Sequence, residues 1–177
     1  ANSFSARAYA HNFNLGELKQ SIQYAKLRNV HTHLTLNTLL KDSELEEAIT
    51  LASKAYEFGI DAIIVQDLGL AKTLMKHFPD LPLHASTQMT AHNLEGVLAL
   101  ENLGFKRVVL SRELSLEEIE YIKSHCKVEI EVFAHGALCM SYSGQCLFSS
   151  MIGGRSGNRG KCAQPCRLPY KLLDEKS

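Results

Sequence analysis

Between Ser43 and Asp67 the chain reads SELEEAITLASKAYEFGIDAIIVQD, and the order of patterns in this stretch decides the fold. Ser43 stands three residues ahead of Glu46, an arrangement in which a hydroxyl and a carboxylate satisfy the free amides of a helix start. Leu45, Ile49, Ala52 and Tyr56 then recur at helical spacing, and Gly59 offers the left-handed backbone that ends a helix. Directly afterwards the pattern changes to the apolar run Ala62-Ile63-Ile64-Val65. That run is too short for a helix and is closed by polar Gln66 and Asp67, so it predicts a buried strand.

The same alternation extends in both directions. Val30 to Leu36, Leu81 to Ala85, Arg107 to Leu110 and Val128 to Ala134 read as further strands, making five with Ala62 to Val65. Asn14 ahead of Glu17 and Ser115 ahead of Glu118 repeat the helix-start device, and Gly104 closes the helical run from Leu94 to Leu103. Strands roughly 20 to 30 residues apart with a helix in each gap imply right-handed parallel crossovers, and therefore either a doubly wound sheet or a β/α barrel. Both α/β folds place their sites at the carboxyl ends of the strands. Those ends are polar here: Asn37; Gln66 and Asp67; Ser86, Thr87 and Gln88; Ser111, Arg112 and Glu113; His135. Polar residues also end strands simply because loops are wet, so the convergence of the set counts for more than any member. His84, Ser86, Thr87, Gln88 and Arg112 are the candidate substrate contacts, and Arg112, Glu113, Glu131 and His135 the candidate catalytic groups.

After Ala134 the periodicity stops. Gly136, Gly144, Gly153, Gly154, Gly157 and Gly160 punctuate a stretch with no regular period, which divides the chain into β/α repeats over 1–135 and a loop-rich module over 136–177. A loop this long inside a compact domain needs an organiser other than apolar burial, and metal ligation can be one. Four of the five cysteines fall in this module: Cys139, Cys146, Cys162 and Cys166. Soft thiolates select zinc or iron–sulfur clusters. Structural zinc pairs usually sit two to four residues apart, a spacing that Cys162 and Cys166 meet and Cys139 and Cys146 do not. Zinc, an iron–sulfur centre and plain buried thiols all stay open at this point, while Cys126, at a helix-to-strand passage, reads as an ordinary buried thiol.

The 177 residues are 45% hydrophobic and carry no net charge, enough for one core. The charge is unevenly placed, however. Val132 to Leu173 holds no Asp or Glu and five cations, Arg155, Arg159, Lys161, Arg167 and Lys171, so this segment is +5 and the remainder −5. An anionic partner such as RNA would suit that segment, with Arg155, Arg159, Lys161 and Arg167 as contacts; an ordinary solvated loop is the plainer reading. No run nears the ~18 apolar residues of a membrane span, and the first residues lack the order of a secretory signal, so a cytoplasmic protein is expected.

Several of these stretches together resemble one known family. Glu131-Val-Phe-Ala-His-Gly-Ala-Leu-Cys139, Met140 to Ser149, His84-Ala-Ser-Thr-Gln-Met89, Ser111-Arg-Glu-Leu114 and Asn158 to Arg167 look like the collagenase-like peptidases of unassigned catalytic type, the thirty-second family of the U class. The resemblance implies a TIM-like β/α barrel domain in bacterial proteins, incomplete in this chain because members have a first strand and helix ahead of the position of Ala1. It implies either peptidase activity or oxygen-independent hydroxylation of tRNA, rRNA or ubiquinone. For the hydroxylating branches it implies a 4Fe-4S cluster on cysteines matching Cys139, Cys146 and Cys162. The fourth ligand would be Cys166 or, as in some branches, a cysteine further downstream. Prephenate is the hydroxyl donor implied for the RNA-modifying members.

Three functions therefore compete. A peptidase needs a nucleophile and a base, yet Gly-x-Ser-x-Gly and His-Glu-x-x-His are both absent from the sequence; a pairing of Cys139 with His135 is the nearest substitute, and metal ligation by Cys139 would forbid it. An iron–sulfur-dependent RNA hydroxylation factor, acting on tRNA above all, accounts for the thiols, the basic module and the polar strand ends together. The third class is a binding protein, with a structural metal and a module that docks RNA or a partner subunit.

Overall fold

The structure, a computed structural model, describes residues 4–6 and 12–171; the final positions of the expected 136–177 module and most of the N-terminal stretch read for a signal lie outside the described residues. Five parallel strands, β1 (His33–Leu36), β2 (Ala62–Val65), β3 (Leu83–Ala85), β4 (Arg107–Val109) and β5 (Glu129–Glu131), pair in the order β1-β2-β3-β4-β5. Each strand lies beside its predecessor, so the sheet has no point at which the strand order reverses. That removes the doubly wound alternative and leaves an arc of a β/α barrel.

The helices are α1 (Leu15–Lys26), α2 (Asp42–Phe58), α3 (Leu68–His77), α4 (Leu94–Leu103) and α5 (Leu116–His125). Period-two alternation sends Leu34, Leu36, Ile63, Val65, Leu83, Ala85 and Val108 into one apolar core with Ile22, Leu70, Leu74 and Val97 of the helices. Ala48, Ala52 and Ala55 of α2 are fully buried, and their small side chains let that helix approach the sheet closely. The opposite face of the sheet presents Thr35, Ile64, His84, Arg107 and Glu129 in one cross-strand row, a far more polar row than the branched aliphatic layers that fill most barrels.

Local chemistry explains where the elements begin and end. Asn14 and Ser115 cap α1 and α5 as expected, with Glu17 and Glu118 accepting the cap amides at 2.9 and 2.7 Å. Gly59 and Gly104 close α2 and α4 with positive φ. The expected start of α2 at Ser43 is corrected: Ser43 lies inside the helix, which begins at Asp42 after Lys41, and Glu44 alone accepts the Lys41 amide at 2.8 Å. Strand β1 begins at His33 rather than Val30, because Val30 donates back to Ala25 across the left-handed Asn29 that ends α1. Strand β3 begins at Leu83 because Pro82 has no amide for the ladder. Strand β5 stops at Glu131, and Val132 and Phe133 are exposed beyond it. The module expected to lack regular structure holds one short helix, α6 (Phe148–Gly153), and single 3-10 turns at Gly157–Arg159 and Pro165–Arg167. No helix among the described residues is long and apolar enough to cross a membrane.

Candidate functional site

The carboxyl ends of the strands and the cysteine module enclose an open cavity of about 720 Å³. Thr35, Asn37, Thr87, Gln88 and Arg112 come from the sheet side, and Cys139, Cys146, Cys162 and Cys166 all come from the module. An adjoining cavity shares Thr87, Arg112 and Cys139 and adds His135. Four cysteines spread over 28 positions thus face one space, though Cys139, Cys162 and Cys166 are exposed and all are free thiols.

Their arrangement bears on what they can hold. Among the described residues, no three His, Cys, Asp or Glu side chains converge on a point suited to a single metal ion. A tetrahedral zinc site needs its sulfurs within about 2.3 Å of one centre. A cluster places its own iron and sulfide between the thiolates, so its ligands line a cavity wall instead. The Gln164 amide also donates to Cys162 Sγ at 3.3 Å, the kind of bond that stabilises sulfur carrying negative charge. The donor set, four soft thiols lining one cavity, has the chemistry that an iron–sulfur cluster or a zinc ion requires.

The floor of the cavity is a tight polar lattice. Gln88 donates through Nε2 to the Asn37 carbonyl at 2.7 Å, Asn37 Nδ2 donates to Ser86 Oγ at 3.3 Å, and Gln66 Nε2 donates to the Gln88 carbonyl at 3.2 Å. Thr87 Oγ1 donates to the Leu110 carbonyl at 3.1 Å. Ser5 and Ala6 close one side: the Ser5 hydroxyl lies 3.2 Å from Thr35 Oγ1, and the Ala6 amide donates to Asn37 Oδ1 at 3.0 Å.

The remaining sequence candidates fall into different surroundings. Arg112 is mostly buried; its Nε donates to Ser143 Oγ and its Nη2 to the Ser141 carbonyl, both at 3.2 Å, while it still lines both cavities. Glu113 accepts the Ser143 amide at 3.1 Å and lies 3.3 Å from His92 Nε2, without hydrogen-bond alignment to that ring. His84 is not at the cavity. It occupies the middle of β3, 4% exposed, edge-on to His33, with Nδ1 unpartnered. Burial first and Arg107 second depress its pKa to about 4, so it is neutral near pH 7. Glu131 lies on β5 and pairs with Arg107 at 3.2 Å, whose other partner is Glu129 at 2.6 Å; Arg107 in turn holds the Glu129 carboxyl below its ordinary range. His135 is exposed and lines the second cavity, as Cys139 does.

Of the candidate RNA contacts, Arg159 forms a two-pronged pair with Glu44, and Arg167 donates to the Leu138 carbonyl. Cys126 is half-buried, its thiol donating to the Val128 carbonyl, and burial raises its pKa. Thr90 and Ser143 are not singled out in the sequence, and Gly144 stands there only as one of the module's glycines. The trace of Ser143 and Gly144 in the sequence is position, between two of the cysteines.

Comparison with known proteins completes the picture. The sequence profile described as "Peptidase family U32" matches residues 1–177. Over 172 residues the chain is 44% identical to the "23S rRNA 5-hydroxycytidine C2501 synthase" of Escherichia coli, covering 97% of this chain and 26% of that protein. It is 39% identical over 174 residues to the "tRNA hydroxylation protein P" of the same organism, covering 98% of this chain and 38% of that protein. The chain thus spans well under half the length of these curated relatives. Among solved structures, the U32 peptidase Mk0906 superposes with a TM-score of 0.60 at 20% identity, covering 72% of this chain and 55% of that one, which bears on the fold alone.

Proposed function

The chain belongs to peptidase family U32, and on that premise we propose that the protein it forms is an oxygen-independent RNA hydroxylation factor, acting on tRNA above all, that depends on a 4Fe-4S cluster held by Cys139, Cys146, Cys162 and Cys166. The observation that carries this reading is the placing of all four thiols on the wall of one cavity. The names of its RNA-hydroxylating relatives support the substrate class. When bound, the cluster supplies single-electron transfer at the cavity.

The chain's own residues supply the rest. Arg112 brings a fixed positive charge to the shared wall of both cavities, and a guanidinium is suited to a carboxylate-bearing co-substrate of the prephenate kind. Asn37, Thr87 and Gln88 form a rigid polar floor that orients what binds above it. The acid-free segment from Val132 to Leu173 offers cations to an RNA backbone. We place the protein in the cytoplasm, where tRNA is found.

The test is anaerobic purification of the full-length protein with iron and sulfide determination, beside mass spectrometry of tRNA and rRNA nucleosides from a deletion strain. Loss of a hydroxylated nucleoside on deletion, restored by the wild type and not by Cys139→Ala, is the expected result. An unchanged nucleoside profile overturns the proposal. Stoichiometric zinc in place of iron converts the module to a structural-metal, RNA- or partner-binding one. Peptide cleavage by metal-free protein promotes the peptidase reading, for which Cys139 and His135 both line the second cavity.

A further inference from the structure

The segment Ser141–Gln145 joins two of the four cavity cysteines, and it is seated on the barrel by polar contacts of its own. Its contacts converge from three places. From β4's end, Arg112 donates to Ser143 Oγ and the Ser141 carbonyl, and Glu113 accepts the Ser143 amide. From the turn after β3, the Thr90 hydroxyl donates to the Ser143 carbonyl at 2.8 Å and accepts from Gln145 Nε2 at 2.8 Å. Between them Gly144, at φ +74°, lies flat on Gln88: a Cβ there would stand 2.4 Å from the Gln88 carbonyl oxygen and 2.9 Å from its Cα. Ser143, in the middle of a surface module, is only 3% exposed.

A second observation points the same way. Thr90 has φ +62° and ψ +43°, a left-handed conformation that a β-branched residue adopts only against strain. Strain of that kind persists where the surroundings enforce it, and here the enforcing contacts are the two bonds of the Thr90 hydroxyl to the module. Gly144 is likewise the residue type that this approach requires, because any side chain meets backbone rather than a flexible neighbour.

We propose that Gln88–Thr90, Arg112 and Glu113 form a dock for Ser141–Gln145, and that this dock fixes Cys139 and Cys146 on the cavity wall they share with Cys162 and Cys166. The dock residues are positioning residues: they act through the backbone between two thiols. The inference rests on the cluster reading for its purpose, while the contacts that make the dock are made by this chain's own residues. It also assigns Arg112 a role besides that of facing substrate.

The experiment compares wild type, Gly144→Ala and Thr90→Val in the full-length protein, by amide hydrogen exchange on the metal-free form and by iron content after anaerobic reconstitution. In both variants the Ser143 and Gln145 amides, which donate to Glu113 and Tyr142, are expected to exchange at least tenfold faster, with β1 to β4 unchanged, and bound iron is expected to fall below half the wild-type value. If Gly144→Ala fails to fold, Thr90→Val, which adds no atom to the Gln88 contact, carries the comparison. Unchanged exchange over 141–145 overturns the dock. Faster exchange with full iron content overturns its positioning role. Wild-type protein that takes up no iron defeats the cluster reading, and the exchange data alone then decide whether the dock exists.

Discussion

Arg159 of the cysteine module grips Glu44 in the first turn of α2, Nη1 to Oε2 at 3.1 Å and Nη2 to Oε1 at 2.5 Å. The two residues are 115 positions apart in the chain, so this one pair ties the module to the opposite side of the barrel arc. The same carboxylate accepts the Lys41 amide, and the two donors, Arg159 foremost, hold the Glu44 carboxyl below its ordinary range. A carboxyl whose folded pKa is depressed contributes stability above its unfolded pKa, and that contribution is lost as pH falls through the folded value. Glu44→Gln is therefore expected to lower stability by about 1 kcal/mol at pH 7. The difference from wild type should shrink as acid protonates Glu44, which urea titrations at pH 7 and pH 3 will read. An undiminished difference at pH 3 contradicts the pairing.

The same geometry sharpens the expectation for RNA binding. Arg159 and Arg167 already serve intramolecular acceptors, so they contribute less to a phosphate-facing surface than Lys161. Each released counterion adds about 0.7 to 0.9 to the slope of log K against log salt. Lys161→Gln should flatten that slope by about this amount without changing the fold. Arg159→Gln should instead weaken the module's attachment and leave the slope nearly as it was. Equal slopes in wild type and Lys161→Gln would take this lysine out of the interface.

Cysteine replacements distinguish the cavity thiols from the remaining one. Cys139, Cys146, Cys162 and Cys166 share one wall, whereas Cys126 lies at the end of α5 and donates to Val128. Alanine at any of the first four is expected to remove most of the reconstituted iron, and Cys126→Ala none of it. Full iron in Cys166→Ala alone would move the fourth ligand to another residue. Full iron in all four variants would end the cluster proposal.

How much of this was legible follows from the range of each interaction. Asn14, Ser115, Gly59 and Gly104 act within four residues of themselves, so the elements they bound could be read directly. Ser43 misled because Glu44 caps α2 by reaching Lys41's backbone without a capping side chain on the other side. His84, Ser86 and Thr87 stand within four positions of one another in the sequence. Depth along the chain separates them, since His84 is the middle residue of β3 while Ser86 and Thr87 lie beyond its carboxyl end. The four cysteines were conspicuous in the sequence, but the contacts that seat them, Gly144 on Gln88 and Ser143 on Glu113, join residues 30 or more positions apart. No local pattern encodes such a contact.

His84 makes a pH prediction. Burial and Arg107 hold its pKa at about 4 against an ordinary 6.5, so the unfolded chain binds this proton more readily. The resulting stability is complete above pH 6.5 and declines as pH falls toward 4. The total is on the order of 3 kcal/mol. His84→Gln should flatten the dependence of unfolding free energy on pH between 7 and 5, a window above most carboxylate titrations. Parallel curves for the two proteins would show that the His84 ring is solvated in the folded state.

Thr90 offers the most discriminating set of substitutions, because strain and hydrogen bonding pull its energetics in opposite directions. Its left-handed backbone costs about 1 kcal/mol or more, and its hydroxyl serves both Ser143 and Gln145, each bond contributing about 1 kcal/mol. Thr90→Val keeps the β-branch and therefore the strain while deleting both bonds, so it should be the least stable variant, by about 2 kcal/mol. Thr90→Gly deletes the same bonds but removes the strain, at a cost in unfolded-chain entropy of about 0.5 to 1 kcal/mol, and should fall between. Thr90→Asn tolerates the left-handed region and retains a polar group, and should lie nearest the wild type. Chemical denaturation of the four proteins gives the order directly. If Thr90→Gly proves less stable than Thr90→Val, the conformation of Thr90 is not strained, and the module's grip on this turn rests on Gly144, Arg112 and Glu113 alone.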